Sequence, residues 1–330
     1  MSVAIEEVTR QREQSALMHM VKSQPFWVTV ALFIMCVVMS QISDVFFTED
    51  NFFNVTRNFA FIGVIALGMT AVIITGGIDL SVGSIIGISG IATGMLLNAE
   101  YSWWVAMLGG IFIALACGLV NGLLIAYVGL SPFIVTLGMF GVARSLAQVL
   151  SQNHMIYQFG PDEKIFNEIG SGMVFGIANP FILLLVLTVL FIIVLRYTAW
   201  GRWVYAIGGN EHAARLTGVP VNRIKLSVYL LSAFMSGLSA VFLVGWQGAA
   251  INAMGTGYEL RVIASSVIGG ADLMGGAGGA YGAFIGAALI EVIRNSLLLA
   301  GVDANWEGTF VGLFIVFAVL LSKIRGMRGG

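Results

Sequence analysis

The chain has 330 residues, 58% hydrophobic and only 10% charged, with a net charge of −1 and a mean hydropathy of +0.94. A water-soluble domain carries about 25% charged residues, so much of this surface must face lipid, and the near-neutral balance gives no sign of nucleic-acid binding. The histidines are scattered at His19, His154 and His212, with no GxxxxGK[ST] loop, so no catalytic constellation and no P-loop ATP site is expected in this chain.

Residues 1–25 mix both charge signs and lack the short apolar core and cleavage site of a signal peptide, and read as a cytoplasmic tail. A membrane span needs about 20 apolar residues. The candidates, in order, are 26–47, 58–75, 80–97, 103–128, 133–150, 180–198 and 226–246, then a short stretch at 260–270, then 277–300 and 308–322. Pro25, Pro132 and Pro180 stand at span starts, where a missing N–H costs little, and Pro161 and Pro220 fall in loops. Cys36 and Cys117 lie in apolar runs as small packing residues.

Basic residues in short loops set the orientation. Arg10, Arg12 and Lys22 precede the first span, and Lys323, Arg325 and Arg328 follow the last. The loop 199–225 carries Arg202, Arg215, Arg223 and Lys225 against Glu211 alone. Ten spans place all three clusters on one side, with both termini cytoplasmic. The expected organisation is therefore an all-α polytopic membrane protein. It has one domain over 26–322 and a cytoplasmic tail at 323–330.

The loop GRWVYAIGGNEHAARLTGVPVNRIK over 201–225 contains a readable short helix. Asn210 is its N-cap, Glu211 lies in the first turn, and Arg215 lies near the last. Gly218 suits the left-handed position that ends a helix, and Pro220 blocks continuation. Ala213, Ala214 and Leu216 form a small, apolar face, and Glu211 with Arg215 forms an i,i+4 pair.

An internal echo stands out. Ile74–Leu80 reads ITGGIDL, and Val267–Leu273 reads VIGGADL. Each copy ends one apolar run and opens another, with a glycine pair for the break and Asp79 or Asp272 as helix N-cap. Paired broken helices in two halves point to a transport route. Ser81 and Ser84 lie one turn apart and offer hydroxyls to a polar solute. Arg144, one turn from Gln148, is an intramembrane cation and so a candidate by default, although snorkelling accounts for it equally well. Glu291 and Arg294 are spaced to neutralise each other.

Thr75–Ser84, reading TGGIDLSVGS, resembles the signature of ribose-type sugar ABC permeases. AIGGNEHAARLTGVPVNRIK (206–225), GTGYEL (255–260) and VIGGADLMGG (267–276) resemble later segments of the same family. The resemblance covers nearly the whole chain. Arg261 after GTGYEL departs from it, as does the lack of a basic residue in GGAGG. The resemblance implies a permease subunit of an ATP-driven importer in a bacterial inner membrane. The implied solute is a monosaccharide or related polyol, moved by alternating access through a ten-span fold similar to vitamin B12 importer permeases. It implies partners as well: a second permease copy or a paralogous permease, cytoplasmic ATPase subunits that use ATP and Mg, and an extracytoplasmic sugar-binding protein. The loop with Gly208, Gly209, Asn210, Glu211, Ala213, Ala214, Arg215, Leu216 and Gly218 would contact the ATPase. The chain itself would need no cofactor. A permease for an amino acid or another small nutrient, or a secondary transporter, are the alternatives.

Overall fold

The structure is a computed structural model that describes residues 21, 23–303, 306, 308, 309, 312 and 313. Most of the expected last span at 308–322, and the tails at 1–20 and 323–330, lie outside the described residues. Among the described residues, seven helices are long and apolar enough to cross a membrane. They are α1 (Gln24–Ile42), α2 (Glu49–Ile74), α4 (Trp103–Leu123, continued by a π-helix at Leu124–Val128), α5 (Pro132–Leu150), α7 (Asn179–Tyr197), α10 (Val221–Gln247) and α12 (Ala280–Leu299). Shorter helices are α3 (Val82–Asn98), α6 (Glu163–Ser171), α8 (Ala199–Gly209), α9 (Glu211–Leu216) and α11 (Tyr258–Ile268). A two-stranded hairpin, β1 (Met173–Val174) and β2 (Ile177–Ala178), is a small exception to the all-α expectation.

Prolines occupy the first turns of α1, α5 and α7, where no intrahelical N–H is lost. α2 starts nine residues before the expected 58. Thr48 caps it by accepting the Asn51 N–H, and Glu49 and Asp50 sit at the positive end of its dipole. The expected loop over 199–225 is likewise helical: it holds α8, α9 and the first residues of α10.

α2 and α10 form the centre. α2 packs against α7, α10, α11 and α12, while α10 also covers α3, α4 and α6. α1, α5 and α7 bury little of their apolar surface. Phe33 and Phe112 are about two-thirds exposed. Exposing such side chains to water forfeits roughly 1.5–3 kcal/mol each, so lipid is their natural solvent.

Two segments cross the bundle as part helix and part irregular chain. The first, 75–98, leaves α2 and turns back inward before α3 begins. Asp79 in this turn bonds Ser232, eleven residues along α10, which is about 16 Å of helix rise. The second runs from Ala250, which pairs with Ile156 beyond the end of α5, through the turns at 252–257 into α11. The last turn of α11 meets Gln24 at the start of α1. The short stretch expected at 260–270 is therefore an eleven-residue helix, Tyr258–Ile268, preceded by irregular backbone. Such backbone is tolerated at membrane depth when protein groups satisfy it. Arg144 on α5 does this, donating to the carbonyls of Asn252 at 2.6 Å, Met254 at 2.9 Å and Gly83 at 3.1 Å.

Candidate functional site

Two regions gather most of the candidate residues. The first is the end of the bundle where α8 and α9 lie. Asn210 Oδ1 accepts the Ala213 N–H at 2.9 Å, and Glu211 begins α9 where its charge favours the dipole. At the other end the Gly218 N–H donates to the Arg215 carbonyl and the Val219 N–H to the Ala214 carbonyl, with Gly218 at φ +87°. This is the Schellman arrangement, in which a residue with a Cβ would be strained. Six residues of helix are thus fixed at both ends.

Glu211 bonds Arg215 at 3.3 Å and Lys225 of α10 at 2.6 Å. Burial by itself would raise its carboxyl, but the bonds and charges of Lys225 and Arg215 hold it below the usual carboxylate range. The expected face needs one correction. Ala214 is 5% exposed, so it seats α9 on its own chain, whereas Leu216 is 76% exposed. His212, Ala213 and Leu216 form the open surface.

The second region is the turn before α3. The backbone N–H and the hydroxyl of Ser81 donate to Asp79 Oδ1 at 3.0 and 2.6 Å. The Ser232 hydroxyl donates to Oδ2 at 2.9 Å, and the Asn121 amide on α4 donates to Ser81 Oγ at 3.0 Å. Asp79, Ser81, Ser84 and Ser232 are at most 1% exposed. Neither aspartate of the echo is a helix N-cap: Ser81 caps α3 and Gly279 caps α12. Each aspartate instead accepts the N–H two residues on, Ser81 for Asp79 and Met274 for Asp272, because its short side chain closes a turn of its own. Asp272 is only partly buried.

Of the expected route residues, Asp79, Ser81 and Ser84 come together, with the Ser84 hydroxyl donating to the Ser81 carbonyl. Arg144 donates these three bonds to backbone carbonyls, so it reaches into the protein rather than outward to a lipid surface. Gln148 lies on the exposed face of α5. Glu291 and Arg294 pair as spaced, at 2.6 Å, with Glu291 1% exposed. Sequence reading missed Ser232 and Asn121. The signal for the first was the run of small hydroxyls at 232, 236 and 239 inside an otherwise apolar helix. Among the described residues no group of three or more His, Cys, Asp or Glu could hold a metal.

The model of one protein family, described as "Branched-chain amino acid transport system / permease component", matches residues 51–319. Among curated proteins, "Probable ABC transporter permease protein y4mJ" of Sinorhizobium fredii is 37% identical over 85% of this chain and 83% of its own. "Ribose import permease protein RbsC" of Escherichia coli K12 is 34% identical over 89% and 92%. "Fructose import permease protein FrcC" of Rhizobium meliloti is 32% identical over 93% and 88%. A solved structure described as an inward-facing conformation of an ABC transporter aligns over 91% of this chain and all of its own. Its TM-score is 0.48 and its identity 17%, too loose a likeness to support an argument. With the family match over most of its length and these relatives over nearly all of it, the chain belongs to the branched-chain amino acid transport system permease component family, a permease subunit of an ABC importer.

Proposed function

We propose that this chain carries a monosaccharide or related polyol across a bacterial inner membrane, paired with a second permease copy or a paralogous permease and driven by separate ATPase subunits. The observation that carries the reading is α9: a helix fixed at both ends, set among basic residues, whose open face of His212, Ala213 and Leu216 has no partner within the described residues. Its basic side is the cytoplasmic one by the charge rule, which puts both tails in the cytoplasm. ATP and Mg act in the ATPase subunits, and this chain holds no cofactor of its own. An extracytoplasmic binding protein delivers the solute. The ten-span arrangement of vitamin B12 importer permeases is the fold that this reading expects.

ATP-driven closure of the ATPase pair shifts α9, and access alternates. The route follows the exposed face of α5 that carries Gln148, between the two permeases. Asp79, Ser81, Ser84 and Arg144 hold the walls, and Asp272 shapes the turn before α12. The names of two relatives, ribose and fructose import permeases, support a sugar. The family description favours a second reading, an amino-acid permease.

The test is capture of a P-loop ATPase by the tagged chain from detergent-solubilised membranes. Leu216→Asp, at an open position, should abolish capture while leaving membrane abundance unchanged. Full capture by that variant would count against α9 as the docking element. Binding of ribose, fructose, leucine or isoleucine to the cognate binding protein separates sugar from amino acid.

A further inference from the structure

Three backbone segments meet behind α9. The Gly276 N–H, in the turn 269–279, donates to the carbonyl of Ile74, the last residue of α2, at 2.9 Å. The Tyr205 hydroxyl on α8 donates to the Gly278 carbonyl at 2.8 Å. Gly208 lies directly against this contact: a Cβ built there would collide with the Ile74 carbonyl oxygen and the Gly276 nitrogen. Gly208 is also one residue from the end of α8, and Asn210 is at once the C-cap of α8 and the N-cap of α9. No linker separates the helices, so α9 cannot tilt far without moving Gly208.

What Gly208 touches gives this contact its meaning. Ile74 leads through Thr75–Asp79 into the buried turn that holds the start of α3, and Gly276 lies in the turn that leads into α12. The start of the first echo copy and the chain three residues beyond the second, far apart in sequence, are thus joined by one backbone hydrogen bond with the end of α8 pressed on it. We propose that Gly208 is a positioning residue through which displacement of α9 reaches both interrupted segments at once. Nucleotide-driven movement at the ATPase surface would then loosen or tighten the turns before α3 and α12 together. This proposal rests on α9 being the ATPase-docking element. It adds the path inward, which nothing in that reading requires.

The test needs no knowledge of the solute. Hydrogen exchange is followed in the full transporter complex, nucleotide-free and with ATP and orthovanadate. In the unmodified complex, residues 75–81 and 270–279 should both change protection by about fivefold or more with nucleotide, in step with α9. In Gly208→Ala the methyl pries the three segments apart, so α9 should keep its response while both turns lose most of theirs. A purely structural role would alter exchange equally in both nucleotide states. Should Gly208→Ala fail to reach the membrane, Tyr205→Phe decides, since it removes only the bond to Gly278 and should roughly halve the response at 270–279. No response at α9 in the unmodified complex would defeat the docking reading. A response at α9 with none at the turns, or turns that respond fully in the variants, would defeat the relay through Gly208.

Discussion

The two GGxDL turns share a sequence pattern and the bond from each aspartate to the N–H two residues on, yet they do different work. In the first, Asp79 is buried and joins three elements: its own turn, α10 through Ser232, and α4 through Ser81 and Asn121. In the second, the side chain of partly buried Asp272 bonds its own turn at Met274. A short motif therefore fixes the local bend, but the surroundings decide whether that bend becomes a tie between helices. A buried polar group must find partners within the protein, and the first turn has them because α10 presents hydroxyls where the second turn meets no matching set.

The largest test of this contrast is Asp79→Leu. It leaves the buried donors of Ser81 and Ser232 without an acceptor and should cost about 3 kcal/mol or more, read as a lower unfolding midpoint in detergent and poor membrane abundance. Ser232→Ala, which cuts only the tie to α10, should cost about 1–2 kcal/mol. Its loss should be largely absent when added to Asp79→Leu, because the two share one interaction; simple additivity would argue against a direct tie. Asp79→Asn should cost about 1 kcal/mol, since the remaining oxygen can still accept from Ser81 while the new amide donates to the Ser232 oxygen. Asp272→Leu should cost about 1 kcal/mol or less, and a loss equal to that of Asp79→Leu would erase the distinction between the turns.

The smallest effect comes from an exposed carboxylate. Glu211 is held below the usual range, so the support it lends α9 is present above the ordinary glutamate value of about 4.3 and disappears as pH falls through its lower folded value. Hydrogen exchange in α9 should quicken across that acid window. Glu211→Gln should flatten the dependence, and an unaltered acid response in that variant would assign it elsewhere.

Much of this molecule could be read from its residues. Prolines and long apolar runs marked the large helices. Asn210, Gly218 and Pro220 marked both ends of α9, because caps are local chemistry. What escaped was non-local. Nothing near Ala214 says that it turns inward, since that depends on where α8 and α10 place the helix. The turn at Asp79, expected as an N-cap, and the partners of Arg144 are hidden for the same reason. A cap and a turn look alike along the chain, and the carbonyls that Arg144 satisfies lie more than sixty residues from it at Gly83 and more than a hundred at Asn252. The stretch 260–270 reads as too short a span because the chain that leads into it, 248–257, is not helical.

The burial of α2 has a consequence for how the protein is made. Its partners are α7, α10, α11 and α12, and its contact with its chain neighbours α1 and α3 is slight. The earliest partner begins at Asn179, and the central one ends at Gln247. At about 5–20 residues per second of synthesis, α2 waits roughly 10–35 s in the bilayer before α10 is complete. It can do so because Asn51, Asn54, Arg57 and Asn58 gather in its first three turns and the remainder is apolar but for Thr70, as comfortable in lipid as in protein. The middle of the bundle is thus laid down early and enclosed late, and a ribosome halted before α10 would leave α2 with only α7 of its four main partners made.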